Sequence, residues 1–227
     1  MTSMTIDQIT GAMFDMDGTI LDSGAMWDQI PLRILEAAGR TPSPTLLQEL
    51  QPLGMHEYAP ILKREYQLPQ SEAEIDAEVV RMAAQYYRAE SRLKPGAEAF
   101  LHLLHSFGVP MAVTTATDRT LTEPALEHCG VLQLFDAVFT CEEVGKSKNE
   151  PDIFRQAMAR LGSARESTWL FEDSLYSIRT AAADGFPTCG LADEATRFQE
   201  NTIREAADCF LPSFIQWRQL PFAHRFE

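Results

Sequence analysis

Apolar positions along this chain change rhythm twice. Near the start, "GAMFDMDGT" (residues 11–19) is a short apolar run that stops at two aspartates and a Gly-Thr pair, the pattern of a strand ending in a loop. From residue 24 to about 92 the spacing becomes helical, in "WDQIPLRILEAAG", "LLQELQPLG", "YAPILKREYQ" and "EAEIDAEVVRMAAQYYRAESR". Gly39, Pro42, Pro44, Gly54 and Pro69 divide the pieces. After "LKPG" (93–96) a second rhythm begins, in which each helical pattern leads to an apolar run. "AEAFLHLLHSFG" leads to "VPMAVTTAT", "TEPALEHCG" to "FDAVFT", "PDIFRQAMARLG" to "STWLFEDS" and "LYSIRTAAADG" to "FPTCGLA", and "AADCFLPSF" ends the series.

Strands alternating with helices predict a parallel sheet covered on both faces, with right-handed crossovers. The expected fold class is α/β, a doubly wound parallel sheet of Rossmann-like form, interrupted after its first strand by an all-helical insert. The division is 1–23 and 93–227 for the α/β core and 24–92 for the insert. In an open sheet of this kind, ligands bind outside the carboxyl ends of the strands. Asp15 and Asp17, then Thr114, Thr115 and Thr117, then the loop carrying Lys148, then Glu172 and Asp173, all fall at such ends or beside them. If the sheet forms, they converge.

Composition narrows the setting. The 227 residues are 45% hydrophobic, enough for a full core, and carry a formal net charge of -14. Such an acidic chain repels nucleic-acid backbone and anionic lipid, so neither is an expected partner. No stretch approaches the ~18 apolar residues of a membrane span. Residues 1–10 hold no apolar core of signal-peptide length. The four cysteines, Cys129, Cys141, Cys189 and Cys209, form no CxxC pair and fit a reduced intracellular protein. The expectation is a cytoplasmic monomer.

Two carboxylates side by side at a strand end ask for an explanation. Turn residues are the plain reading. Against it, D-x-D-G-T starts at a given position by chance roughly once in 10⁵, and a buried carboxylate pair is costly without a cation. The chemical reading gives each aspartate a task. One carboxylate attacks an electrophilic centre such as phosphorus. The other protonates the leaving oxygen and later takes a proton from water. Oxygen ligands around such a pair select Mg²⁺. Gly18 leaves room for the backbone to approach the transferring group.

"FDMDGTILDS" resembles the first motif of the haloacid dehalogenase-like superfamily of phosphohydrolases. "AVTTAT" resembles its second motif, "VGKSKNEPDIF" its third and "WLFEDS" its fourth, in family order, and the helical insert matches the family's helical cap. The resemblance implies that Asp15 is the nucleophile and Asp17 the general acid/base. It further implies that Thr115 and nearby backbone N–H groups, Ala116 among them, hold phosphoryl oxygens and that Lys148 neutralises charge. Asp15, Asp17, Glu172 and Asp173 would hold Mg²⁺, Asp17 through its backbone carbonyl. The implied activity is a phosphomonoesterase acting on a small phosphorylated metabolite, sugar phosphates foremost, through an aspartyl-phosphate. A phosphomutase and a non-catalytic phosphometabolite-binding protein are the alternatives.

Some positions depart from the pattern. Asn149 stands where the third motif often has Pro, and Ser177 where a Gly is usual. Trp27 and Glu57 stand where the beta-phosphoglucomutase branch carries a cap His and a phosphate-binding Arg, which favours hydrolysis over mutase chemistry. Asp17 argues against dehalogenation. His102 and His105 read as a surface helix lacking further ligands, Trp27 as a cleft residue, and Arg119 as a side chain within reach of the substrate phosphate. Gly24 and Gly96 flank the insert and are expected to let it move as a lid.

Overall fold

The computed structural model describes residues 7–50 and 53–226. The first six residues, read above for a leader, positions 51–52 of the expected helical stretch 46–54, and residue 227 lie outside the described residues.

In chain order the chain forms β1 (Gly11–Phe14), α1 (Gly24–Ala37), α2 (Leu46–Leu50), α3 (Tyr58–Tyr66), α4 (Glu72–Ala89), α5 (Ala97–Ser106), β2 (Met111–Thr115) and α6 (Arg119–His128). There follow β3 (Ala137–Thr140), α7 (Cys141–Val144), α8 (Asp152–Leu161), β4 (Thr168–Glu172), α9 (Leu175–Ala183), β5 (Thr188–Leu191), α10 (Glu200–Ala206) and β6 (Cys209–Leu211). The sheet order is β3-β2-β1-β4-β5-β6 and every pair is parallel. This is the doubly wound α/β architecture expected, with an all-helical cap inserted after β1. Chain order reverses between β1 and β4, which opens a crevice beyond the carboxyl ends of those strands.

β1, β2, β4 and β5 are buried at every position, as continuous apolar runs in a sheet covered on both faces must be. Phe14 and Phe171 are register partners, and their rings stack at 4.6 Å and 9°. Phe100 of α5 meets both edge-on. On the opposite face Met13, Ala112 and Leu170 pack with Ile153, Phe154 and Ala157 of α8. Burying each large side chain stabilises by about 1.5–3 kcal/mol. The C-terminal segment closes over the first face in 3₁₀ turns, Phe214–Gln219 and Ala223–Phe226, and Phe222 meets Trp169 edge-on at 5.0 Å. These turns carry no periodic signal in the sequence.

In the cap, α4 begins with a capping box: Ser71 Oγ accepts from Glu74 N–H at 3.2 Å and Glu74 Oε2 from Ser71 N–H at 2.8 Å. Its buried stripe, Ile75, Val79, Ala83 and Tyr87, recurs every four residues. α4 packs against α1 and α3 within the cap and against α6 of the core. The two chain crossings between cap and core pair with each other: Leu21 and Leu93 form an antiparallel bridge, Asp22 N–H donates to Arg92 O at 2.9 Å and Lys94 N–H to Ile20 O at 2.8 Å. Gly24 and Gly96 are both crowded. A Cβ on Gly24 would lie 2.7 Å from Asp193 Oδ1, and one on Gly96 would overlap the Ile215 backbone. Close approach is what these glycines supply in this arrangement.

Candidate active site

Four strand ends and their loops meet in the crevice. Asp15 follows β1, its N–H bonded to Phe171 O at 3.0 Å, and Thr115 ends β2. Lys148 lies in the loop between α7 and α8, while Glu172 ends β4 and Asp173 follows it. Lys148 is 2% exposed and its Nζ donates to Asp15 Oδ1 and, at 2.8 Å, to Glu172 Oε2. Burial works against its charge, but Asp15 and Glu172 outweigh it and hold the ammonium well above its ordinary pKa. Asn149, in place of the usual Pro, steadies this loop differently: its N–H and Nδ2 both reach Ser147 Oγ, at 3.4 and 3.3 Å. Glu172 Oε1 accepts from the N–H groups of Asp173 and Ser174 at 3.1 and 3.0 Å, so both its oxygens are engaged.

Carboxylate oxygens of Asp15, Glu172 and Asp173 lie within 4.8 Å of one another, all three residues buried. Three carboxylates against the single ammonium of Lys148 leave two negative charges, the deficit a divalent cation fills. Burial, and then the Glu172 charge, push the Asp15 and Asp173 carboxyls well above the ordinary range, which is the cost of that deficit. An all-oxygen donor set of this kind fits Mg²⁺. The Asp17 carboxylate is outside this cluster, which is compatible with a backbone contribution from that residue. Gly18 has a φ of +76°, and a Cβ there would lie 2.8 Å from Asp173 Oδ2. Its small size makes room for the Asp173 carboxylate, a need the sequence reading had assigned to the substrate.

Asp17 is held by three hydroxyls. Ser23 Oγ and Tyr87 Oη donate to its Oδ1 at 2.6 and 2.5 Å, and Thr117 Oγ1 donates to its Oδ2 at 2.7 Å. Thr115 Oγ1 accepts from Thr117 N–H at 3.1 Å, and among the described residues its hydroxyl proton has no acceptor, so it can serve a ligand. Lys94, seen in the sequence only as part of a linker, is a brace: its Nζ donates to Gly18 O, Ala192 O and Asp193 Oδ2 at 2.5, 2.6 and 2.7 Å.

A cavity of about 130 Å³ opens here, well above the ~10–15 Å³ that one water needs. Asp15, Asp17, Thr115, Ala116, Lys148 and Asp173 line its core side. Trp27 lines the cap side, as expected, and its Nε1 donates to Tyr87 Oη at 3.2 Å. Arg119 is different from expectation. It is tied to Glu143 at 2.5 Å and Glu123 at 2.7 Å and does not line the cavity. Glu57 closes a turn by accepting from Gly54 N–H at 2.7 Å. Its neighbour His56 bridges cap and core, with Nδ1 2.7 Å from Asp76 and Nε2 2.9 Å from Asp118. His102 and His105 are both exposed on α5, as a surface helix requires. Sequence reasoning missed Ser23, although that residue closes the first motif, and missed Asp28, Lys94 and Asp193, which sit in no motif.

The chain matches the haloacid dehalogenase-like hydrolase family over residues 9–185. It is 27% identical to the "Probable pseudouridine-5'-phosphatase" of Drosophila melanogaster, over 92% of this chain and 94% of that one. It is 28% identical to the "Validoxylamine A 7'-phosphate phosphatase" of Streptomyces hygroscopicus subsp. limoneus, over 79% and 84%. Among solved structures, CbbY from Rhodobacter sphaeroides in complex with phosphate superposes with a TM-score of 0.78 at 25% identity, covering 91% of this chain and 95% of that one. With 177 residues matched in sequence order (9–185) and the fold shared along most of its length, the chain belongs to the haloacid dehalogenase-like hydrolase family.

Proposed function

We propose that this chain, a phosphatase, is a Mg²⁺-dependent phosphomonoester hydrolase that acts on a small phosphorylated metabolite, sugar phosphates foremost, through an aspartyl-phosphate on Asp15. The observation that carries the reading is the buried set of Asp15, Lys148, Glu172 and Asp173 at the mouth of β1 and β4, with Asp17 beside it. The relatives named for pseudouridine 5'-phosphate and validoxylamine A 7'-phosphate support a small phosphomonoester as substrate.

Asp15 attacks phosphorus, the bond to the leaving oxygen breaks, and that oxygen takes its proton from Asp17. Water then attacks the phosphorus, gives a proton to Asp17, and breaks the bond to Asp15, releasing orthophosphate. Lys148 offsets the charge of Asp15 and the phosphoryl group, and Glu172 keeps Lys148 in place. The Thr115 hydroxyl and the Ala116 backbone N–H hold phosphoryl oxygens. Asp15, Asp173 and the Asp17 carbonyl would hold Mg²⁺, with Glu172 adding charge behind them. Bound there, Mg²⁺ supplies charge stabilisation at the phosphoryl oxygens. In this reading residues 24–92 surround the leaving group and residues 1–23 and 93–227 perform the chemistry. The four cysteines are free, which supports a reducing compartment such as the cytoplasm. Phosphate release from an aryl phosphate, with and without Mg²⁺, tests the proposal; no release under either condition overturns it.

A further inference from the structure

The cavity next to Asp15 is lopsided in charge. α1 turns one face to it, because Gly24, Trp27, Asp28 and Pro31 fall at positions i, i+3, i+4 and i+7. Trp27 and Pro31 join Leu50, Met55 and Tyr58 in an apolar, aromatic far wall. Asp28 stands in that wall, and among the described residues its carboxylate has no hydrogen-bond or ion-pair partner. Its charged neighbour Asp193 is already paired with Lys94 at 2.7 Å. Burial, and then the Asp193 charge, push the Asp28 carboxyl above its ordinary range. Among the described lining residues, Asp15, Asp17, Asp28, Asp173 and Asp193 face one cation, Lys148, and Lys148 is committed to Asp15 and Glu172.

We infer that Asp28 selects the substrate class: the leaving alcohol carries no second anionic group, offers hydroxyl or ammonium hydrogens to Asp28, and lays a ring or apolar face against Trp27 and Tyr58. This rests on the phosphatase reading above. A second phosphate or a carboxylate on the substrate would enter a wall with no cation to pair with and one unpaired carboxylate to repel it. A hydroxyl or ammonium donor does the reverse, giving Asp28 the partner it lacks. Trp27 and Tyr58 meet edge-on at 6.1 Å and present aromatic surface on which a ring can pack.

The test compares kcat/KM for five phosphomonoesters with Mg²⁺ present. An aryl phosphate reports the chemistry alone. Uridine 5'-phosphate offers a neutral ribose and a planar ring, phosphoethanolamine an ammonium, 2-phosphoglycolate a carboxylate and fructose 1,6-bisphosphate a second phosphate. Uridine 5'-phosphate or phosphoethanolamine should exceed both anionic substrates by at least about tenfold, and which of the two leads tells whether hydroxyl or ammonium is the preferred donor. Asp28→Asn, with its fold checked by circular dichroism, should narrow that gap by about tenfold. If the aryl phosphate is turned over but either anionic substrate matches the donors, the inference is wrong while the phosphatase reading stands. An unchanged gap in a folded Asp28→Asn also overturns it. If not even the aryl phosphate is turned over, both readings fall together.

Discussion

Tyr87, in the last turn of cap helix α4, places its hydroxyl 2.5 Å from Oδ1 of Asp17, a core residue seventy positions earlier. Burial, and then the Asp17 charge, hold the Tyr87 phenol far above its ordinary pKa, so it stays a donor. Trp27 donates to the same hydroxyl from α1 at 3.2 Å. The cap thereby touches the group assigned to proton transfer, and the position of the cap bears on the orientation of that group. Tyr87→Phe keeps the ring and removes the donor. A hydrogen bond to a charged group is worth about 1.5–3 kcal/mol, so the thermal midpoint should fall by several degrees, and in the variant assayed while folded kcat should fall about ten- to hundredfold. A wild-type kcat in the folded variant would detach the cap from the chemistry.

His56 fastens the cap on another side, between Asp76 on α4 and Asp118 at the start of α6. Burial disfavours its charge, but the bonds to Asp118 and Asp76 outweigh it, so its pKa is raised above 6.5. A raised pKa means that this contribution is complete below about pH 6.5 and is lost as pH rises through the folded-state value. His56 is 47% exposed, so the effect is modest, under about 1 kcal/mol. Hydrogen exchange in α3 and α4 should therefore quicken from about pH 6 to pH 9 beyond the intrinsic rate change, and His56→Gln should flatten that extra dependence. Equal pH dependence in both proteins would remove the fastening role.

The charge deficit around Asp15, Glu172 and Asp173 predicts that Mg²⁺ stabilises the protein as well as activating it. At a concentration of about 100 Kd, a cation that binds only the folded form adds about 2.7 kcal/mol. The thermal midpoint should rise with Mg²⁺, and Asp173→Asn should lose most of that rise together with activity. Calorimetry with and without chelator reads the shift. Full activity after thorough chelation would contradict the assignment.

The motif residues were legible because a parallel sheet gathers strand ends from distant parts of the chain. Once alternation from residue 97 onward fixes that sheet, Asp15, Thr115, Lys148 and Asp173 are neighbours by topology. The roles of Tyr87 and Asp28 were hidden for the opposite reason. Their contacts depend on how the cap sits on the core, and helix periodicity fixes which face is buried but not what that face meets. Arg119 shows the same limit. Its place beside the second motif was right, but Glu143 in the short helix α7 claims it. Asp28 is by sequence an ordinary polar position on an amphipathic helix, and its place in the cavity wall shows only once α1 lies with Gly24 close against Asp193.

The central claim is that Asp15 carries the phosphoryl group. Rapid acid quench of turnover with a ³²P-labelled aryl phosphate, whose leaving group departs without a proton, tests it most directly. The account predicts label on the peptide containing Asp15, released by hydroxylamine as an acyl phosphate is. Asp15→Asn should carry none, because an amide is a poor nucleophile. Asp17→Asn should carry more, because the water step then loses its base and slows by about 10²–10⁴-fold. Steady release of phosphate with no labelled protein at any quench time, or label that persists in Asp15→Asn, would contradict it.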